Sequence, residues 1–368
     1  MSSPDKAVIL SAGFGYRLDP ITRLIPKPLL PFWNEPVLNR TIRTLSSWGV
    51  RDILINLHYL PNQIVRSARN TSAACGTRLA FSFEPVIAGT GGALRHAAWF
   101  LSDKPFWLVN ADIVMDVPRD PFLKCLQRHR PVAVLWMTSR SGPRTVIMRN
   151  GIVQAFHGGN PDNPWSYTFC GLHLLTPAIM EHVPGTESSS IIDAYKAALR
   201  SGRLVYGIDP QNAFWADLGT PDDYRTAHTG YSRWLKITAR EQTADMKLRH
   251  LRTMYPGVSF SGSCAVAPSA RISPGAYIND SIVMTDVTLG SGCHLSNAII
   301  LPGVQLNAPS SQIVMLPGQI EHDLPAIIRT HLHWPEDHCQ AEPLPPRGSA
   351  RSFVPLRHGR RSVIFLSY

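Results

Sequence analysis

The sequence predicts an α/β fold, a mixed but mostly parallel sheet covered by helices on both faces, followed by a short run of regularly repeated β-strands. Apolar runs of strand length alternate with helix-length segments through the N-terminal part of the chain, an order that favours parallel strands joined by right-handed crossovers. A glycine-rich turn stands directly behind the first of those runs, in the place where such sheets bind ligands. From Val266 onward the aliphatic residues fall six apart.

Each element follows from local pattern. Ala7 to Leu10 reads as a buried strand, and in Ser11-Ala12-Gly13-Phe14-Gly15 behind it two glycines let backbone N–H groups close on an anion. Val37, Leu38, Thr41, Ile42, Leu45 and Trp48 recur at helical spacing, with Gly49 as the expected C-terminal cap. Asp52 to Leu57, Leu79 to Phe83, Pro105 to Asn110 and Val132 to Met137 read as further strands, separated by helical segments such as Asn62 to Arg69 and Gly92 to Leu101. Tyr231 to Tyr255 reads as a helical connector with Trp234, Leu235, Met246, Leu248 and Leu251 as apolar contacts. Val266, Ile272 and Ile278, then after one short step Val283, Leu289, Leu295 and Leu301, mark hexads with Gly275, Gly290, Gly292 and Gly303 at turn-like places. The expected organisation is an α/β domain over 1–230, a connector over 231–260, the repeat over 261–318 and a basic, Pro-rich tail over 319–368.

Composition narrows the classes. A chain of 368 residues holds two or three domains, and 44% apolar residues is ordinary for a globular protein. Residues 1–5 run into the first strand without a leader pattern and no apolar run spans a bilayer, so the expectation is a cytoplasmic protein with no membrane partner. The six cysteines form no C-x-x-C pair and are expected as free thiols. The net charge of +10 comes from dispersed basic residues, with a local cluster only at Arg347, Arg351, Arg357, Arg360 and Arg361. No nucleic-acid motif accompanies it, and no nucleic-acid partner is expected.

The polar residues near the glycine turn suit phosphate chemistry. Arg17 can fork onto phosphate oxygens, and Lys27, between Pro26 and Pro28, can present a point charge to a phosphorus under attack. Asp112 stands just beyond an apolar strand, where a carboxylate can hold Mg2+, and Asp217 is the second candidate ligand. Glu84, Pro85, Gly89, Thr90, Gly91, Gly92 and Ala93 make a second glycine-rich loop before a helix. A dinucleotide-binding dehydrogenase is excluded, because Gly13-Phe14-Gly15 lacks a third glycine and no acid sits at ribose distance.

Gly13-Phe14-Gly15-Tyr16-Arg17-Leu18 followed by Pro26-Lys27-Pro28, together with Asn110-Ala111-Asp112 and Trp215-Ala216-Asp217-Leu218-Gly219-Thr220-Pro221, resembles the sugar-1-phosphate nucleotidylyltransferases, most closely the mannose-1-phosphate guanylyltransferase type. The resemblance implies a nucleotide-diphospho-sugar transferase fold, a nucleoside triphosphate and a sugar 1-phosphate as partners, and Mg2+ as cofactor. It implies Arg17 and Lys27 as catalytic residues, Asp112 and Asp217 as metal ligands, and Ala12, Gly13, Gly15, Glu84, Gly89, Thr90 and Gly91 around the nucleotide. Gly171 and Asn110 would face the sugar. The hexads resemble a left-handed parallel β-helix, which at little more than two coils is expected to pack on the catalytic domain or on a second copy of the chain, giving a homo-oligomer.

Two departures leave alternatives. Tyr16 stands where the family carries threonine, and the F-x-E-K-P segment that supplies a sugar-phosphate lysine is absent, leaving Arg144 or His157 as substitutes. The alternatives are an N-acetylmuramate- or heptose-1-phosphate nucleotidylyltransferase of a salvage pathway, or a weakly catalytic paralogue that binds nucleotide sugar and regulates a partner. The tail, in which Leu344 to Phe353 and then Arg361 to Phe365 suggest a β-hairpin, resembles the opening strands of aminoglycoside-phosphotransferase-like sugar kinases, cut off before a catalytic loop.

Overall fold

The computed structural model describes residues 3–156, 162–238, 241–306, 314–315, 340–341, 352–358 and 361–367. The chain divides into two compact units, one of residues 1–14, 25–218 and 233–239, the other of residues 15–24, 219–232 and 240–368.

Strands of the first unit are β1 (Lys6–Leu10), β2 (Pro31–Phe32), β3 (Glu35–Pro36), β4 (Asp52–Leu57), β5 (Arg78–Phe83), β6 (Phe106–Asn110), β7 (Ile113–Asp116), β8 (Ala133–Thr138), β9 (Val146–Arg149), β10 (Ile152–Phe156), β11 (Ser166–Leu175), β12 (Val205–Ile208) and β13 (Phe214–Asp217). Its helices are α1 (Val37–Ser47), α2 (Pro61–Cys75), α3 (Gly89–His96), α4 (Asp120–His129) and α5 (Ile191–Arg200).

One sheet runs in the order β5-β4-β1-β6-β11-β8-β12-β10-β9. From β5 to β6 every pair is parallel, whereas β11 runs antiparallel to both β6 and β8. The sheet is therefore mixed: four of the expected strands form the parallel run β5-β4-β1-β6, whereas the fifth, β8, lies beyond β11, antiparallel to it and parallel to β12. Ala7 and Ile9 of β1 enter one apolar cluster and Val8 the other, with Leu54 and Leu108 beside Val8. A strand buried on both faces has no reason to alternate, which is why these runs are continuously apolar.

Register places the site. Leu10 pairs with Asn56 on one side and Asn110 on the other, so β1, β4 and β6 end at one level. The loops that follow them emerge together. A separate antiparallel pair, β7 with β13, sets Asp217 opposite Ile113 and thereby beside Asp112.

Helix α3 differs from the expected Gly92 to Leu101 by starting at Gly89 and ending at His96. A Cβ on Gly89, which has φ +70°, would stand 2.5 Å from the Ser189 carbonyl oxygen, and one on Gly91 2.6 Å from the Ser189 hydroxyl. These glycines are helical residues kept bare by the Glu187 to Ser190 segment packed on them, not the free loop that their composition suggested.

The second unit contains the 3-10 turns Tyr16–Leu18 and Ile21–Arg23, most of α6 (Pro221–Ile237) and α7 (Glu241–Met254). Then come β14 (Ser259–Ser261), β15 (Ala265–Val266), β16 (Arg271–Ile272), β17 (Tyr277–Asn279), β18 (Ile282–Val283), β19 (Thr288–Leu289), β20 (His294–Ser296), β21 (Ile299–Ile300), β22 (Gln305–Leu306) and β23 (Val314–Met315). They form three parallel ladders visited in rotation, β14-β17-β20, β15-β18-β21-β23 and β16-β19-β22. Ile272 pairs with Leu289 and Leu289 with Leu306, a step of 17 residues. The short step thus recurs in each turn, and Val283 pairs with Ile300, not with the Leu301 that strict hexads favour. Between the first and second ladders, Gly262, Asp280 and Asn297 take φ of 65°, 44° and 55° at successive corners. In the tail, β24 (Gln340–Ala341) pairs with β25 (Ser352–His358), which pairs antiparallel with β26 (Arg361–Ser367). His157 and the remainder of the tail lie outside the described residues.

Candidate active site

A cavity of about 220 Å³ opens at the carboxyl ends of the parallel strands. Ala12, Gly13, Lys27, Glu84, Gly89, Thr90, Asn110 and Asp112 all line it. At Gly13 the place of a Cβ is open, with nothing within 4 Å. Glycine there leaves room for a ligand, in contrast to the packed glycines of α3.

Lys27 follows Pro26, which enters the 3-10 turn Lys27–Leu29 in extended conformation, and its residue is 8% exposed. Its Nζ donates to Asp112 Oδ2 at 2.6 Å and lies 3.6 Å from Asp217 Oδ1. One ammonium thus holds two carboxylates that are 105 residues apart in sequence. The loop of Asp112 is fixed because Ala111 N–H donates to the Leu10 carbonyl and Leu218 N–H to the Asp112 carbonyl.

A buried polar chain supports the glycine turn. Ser11 N–H donates to Asn56 Oδ1 at 2.6 Å, and Asn56 Nδ2 donates to Glu84 Oε1 at 2.8 Å. The other oxygen, Glu84 Oε2, accepts from Ala88 N–H at 3.0 Å, and Glu84 is 1% exposed. Both carboxylate oxygens therefore serve the scaffold, tying the first glycine turn to the second loop. Asn56 is the functional neighbour that sequence reading missed, and a lone amide in the otherwise apolar run Ile53 to Leu57 was its signal.

Thr90 Oγ1 accepts from Ile191 N–H at 2.8 Å, and Gly91 N–H donates to the Ser189 carbonyl at 2.8 Å. The start of α3 thus anchors the start of α5. Gly171, at φ +79° in an irregular stretch of β11, would bring a Cβ 2.8 Å from Asn110 Nδ2, so its bareness admits the Asn110 side chain at the cavity wall.

Gly15 and Arg17 belong to the second unit. Gly15 has φ 72° and precedes the turn bearing Arg17, whose Nη1 lies 3.3 Å from where a Cβ on Gly219 would stand. Tyr16 is 67% exposed. Thr220 caps α6, its Oγ1 accepting from Asp223 N–H at 3.1 Å, with Pro221 as first helical residue. The Trp215 to Pro221 motif thus divides into a carboxylate-bearing strand and a helix start.

Among the described residues no three acidic, histidine or cysteine side chains gather as a metal cluster. Mg2+ commonly takes one or two carboxylates and completes its shell with phosphate and water oxygens. Asp112 and Asp217, hard oxygen donors converging on one cation, fit that requirement.

Strand-end loops around an open glycine and a lysine between two carboxylates are the means by which a parallel sheet handles polyphosphates, which places the protein among nucleotide-using transferases. The chain belongs to the nucleotidyl transferase family, whose pattern matches residues 6–233, and is a sugar-1-phosphate nucleotidylyltransferase. It is similar to the mannose-1-phosphate guanylyltransferase catalytic subunit beta of Danio rerio, 29% identical over 73% of this chain and 72% of that one. It is also similar to the probable mannose-1-phosphate guanylyltransferase 3 of Oryza sativa subsp. japonica, 27% identical over 82% of both chains. The UDP-glucose pyrophosphorylase from Acinetobacter baumanii shares the fold, with a TM-score of 0.55 at 17% identity over 68% of this chain and 99% of that one. Among the described residues no helix is long and apolar enough to cross a membrane.

Proposed function

We propose that the protein is a Mg2+-dependent enzyme of the mannose-1-phosphate guanylyltransferase type. The observation that carries the chemistry is Lys27 held between Asp112 and Asp217, with Lys27 and Asp112 lining the first cavity. Guanine and mannose are taken from the similar proteins of fish and rice.

In the reaction, an oxygen of the sugar 1-phosphate attacks the α-phosphorus of the nucleoside triphosphate, and the bond to the β-phosphate oxygen breaks as pyrophosphate leaves. No covalent intermediate on the protein is needed. Ala12 and Gly13 line the nucleotide cavity with backbone, Lys27 sets positive charge against the phosphorus under attack, and Arg17 is proposed to clamp the phosphates by the sequence pattern. Asp112 and Asp217 would hold Mg2+, which supplies charge neutralisation on the phosphates. Glu84 holds the segment before α3 in place through Asn56 and Ala88, leaving Ile87 and the first residues of α3, Gly89 and Thr90, on the cavity wall to meet the base. Gly15 shapes the phosphate turn, and Gly171 lets Asn110 reach the sugar side.

The three ladders are read as a left-handed parallel β-helix through which copies of the chain associate. Sedimentation velocity over a range of concentrations tests this, and a monomer throughout would refute the association.

Pyrophosphate release, crossing GTP, UTP, dTTP, CTP and ATP with mannose, glucose, heptose and N-acetylmuramate 1-phosphates in Mg2+, tests the function. Turnover highest for GTP with mannose 1-phosphate supports the proposal. Preference for UTP with the muramate phosphate would move it to the salvage enzyme, and silence with retained nucleotide binding to the regulatory paralogue.

A further inference from the structure

A second cavity, of about 410 Å³, lies between β9, β10, β11, β13 and α5. Phe156, Phe169 and Trp215 give it apolar walls, Thr168 adds a hydroxyl, and Asp217 and Lys196 carry its charge. Asp217 shares Lys27 with Asp112, and Asp112 lines the first cavity. Each cavity is therefore lined by one of the two carboxylates that share Lys27.

A reaction that joins two phosphate-bearing substrates needs such a meeting point. With the nucleotide in the cavity of the glycine turn, the second cavity is left for the partner, an aromatic-walled space of suitable chemistry for a sugar ring. The phosphate on that sugar is a dianion, and it must come near Asp217. Mg2+ and Lys27 would offset that repulsion from the side of the carboxylates, and a further cation on the cavity wall would hold the phosphate in place.

Arg144 does not meet that need: its guanidinium donates to the Ser139 carbonyl, its N–H to Thr168 Oγ1, and its backbone has φ +49°. It anchors the loop after β8. Lys196, by contrast, enters no ion pair among the described residues. It is carried on a rigid helix. Ser190 and Asp193 close a capping box at the start of α5, and Tyr195 beside Lys196 is fully buried. Through Ile191 N–H on Thr90 Oγ1, the same helix is fixed to the start of α3, whose Gly89 and Thr90 line the first cavity.

We propose that Lys196 binds the phosphate of the sugar 1-phosphate in this second cavity, supplying from α5 the charge that the absent lysine segment does not; the proposal rests on the nucleotidylyltransferase reading above. Lys196 is a binding residue, so its loss acts on one substrate selectively. Full-length wild type, Lys196→Ala and Lys196→Arg are compared by pyrophosphate release and by equilibrium binding of mannose 1-phosphate in the presence of an α,β-methylene nucleoside triphosphate. Expected for Lys196→Ala is a KM for sugar 1-phosphate raised about tenfold or more, with the KM for the triphosphate unchanged and the melting temperature kept, because the residue is exposed. Lys196→Arg should recover most of the affinity. Equal sugar-phosphate KM and binding in wild type and Lys196→Ala, with turnover intact, overturns the inference while the function stands. Absence of both turnover and sugar-phosphate binding in the wild type overturns the function and the inference with it.

Discussion

His173 on β11 is fully buried, its Nδ1 bonded to the Tyr195 hydroxyl, and burial pushes its pKa down from 6.5 to about 3. Below pH 6.5 the unfolded chain takes up a proton that the folded chain refuses until about pH 3. This contribution to stability is therefore complete above 6.5 and is lost as pH falls toward 3, by about 1.4 kcal/mol per pH unit. Urea unfolding at pH 6, 5 and 4 should approach that slope in the wild type and show a flatter one in His173→Gln; equal slopes would refute the assignment. At the same scale, Lys27→Ala removes the charge between two carboxylates without disturbing a strand. A preorganised charge of this kind is worth roughly 3 to 4 kcal/mol in the transition state, so kcat should fall on the order of a hundredfold or more. Asp112→Asn should fall in parallel, and retention of kcat in either would remove that residue from the chemistry.

Elements act through what they let approach. Gly89 and Gly13 have the same composition and opposite duties, since one supports a packed helix start and the other borders open space. Gly89→Ala forces a Cβ against the Ser189 carbonyl at φ +70°, and should cost about 1 to 3 kcal/mol of folding stability. Gly13→Ala should leave stability unchanged and raise the KM for the triphosphate. Melting curves and kinetics on the two variants separate these outcomes, and a stability loss at Gly13 equal to that at Gly89 would contradict the distinction. The polar chain from Ser11 through Asn56 to Glu84 works likewise at this scale, joining β1, β4 and the loop after β5 into one frame.

At the scale of the molecule, the two units depend on different periodicities. The ladders of the second unit stack Phe260, Ile278 and Leu295 in register, and Ile278 and Leu295 have no exposed surface. Leu295→Ala should lower stability by about 2 to 5 kcal/mol, because neighbouring rungs cannot collapse into the gap. Denaturant unfolding measures it, and a loss below that range would mean that the stack relaxes. His294, beside it, is exposed with its ring 5.1 Å from that of Tyr277, a surface contact of the ladder.

Local pattern by itself determined the parallel strands, the glycine turn, the coil residues and the residue types suited to phosphate chemistry, because each is written in a few consecutive positions. Lys27 and Asp112 were legible singly, from a proline bracket and a strand end, and Asp217 from the resemblance of Trp215 to Pro221 to a family motif. Their union on one ammonium was not, since it depends on β13 pairing with β7 far away in sequence. Tertiary structure alone decided that Glu84 gives both oxygens to the scaffold, that the glycines of α3 are packed and not open, and that Lys196 shares a cavity with Asp217. Each of those is a contact between segments distant in the chain, and spacing within one segment carries no information about what another segment brings to meet it.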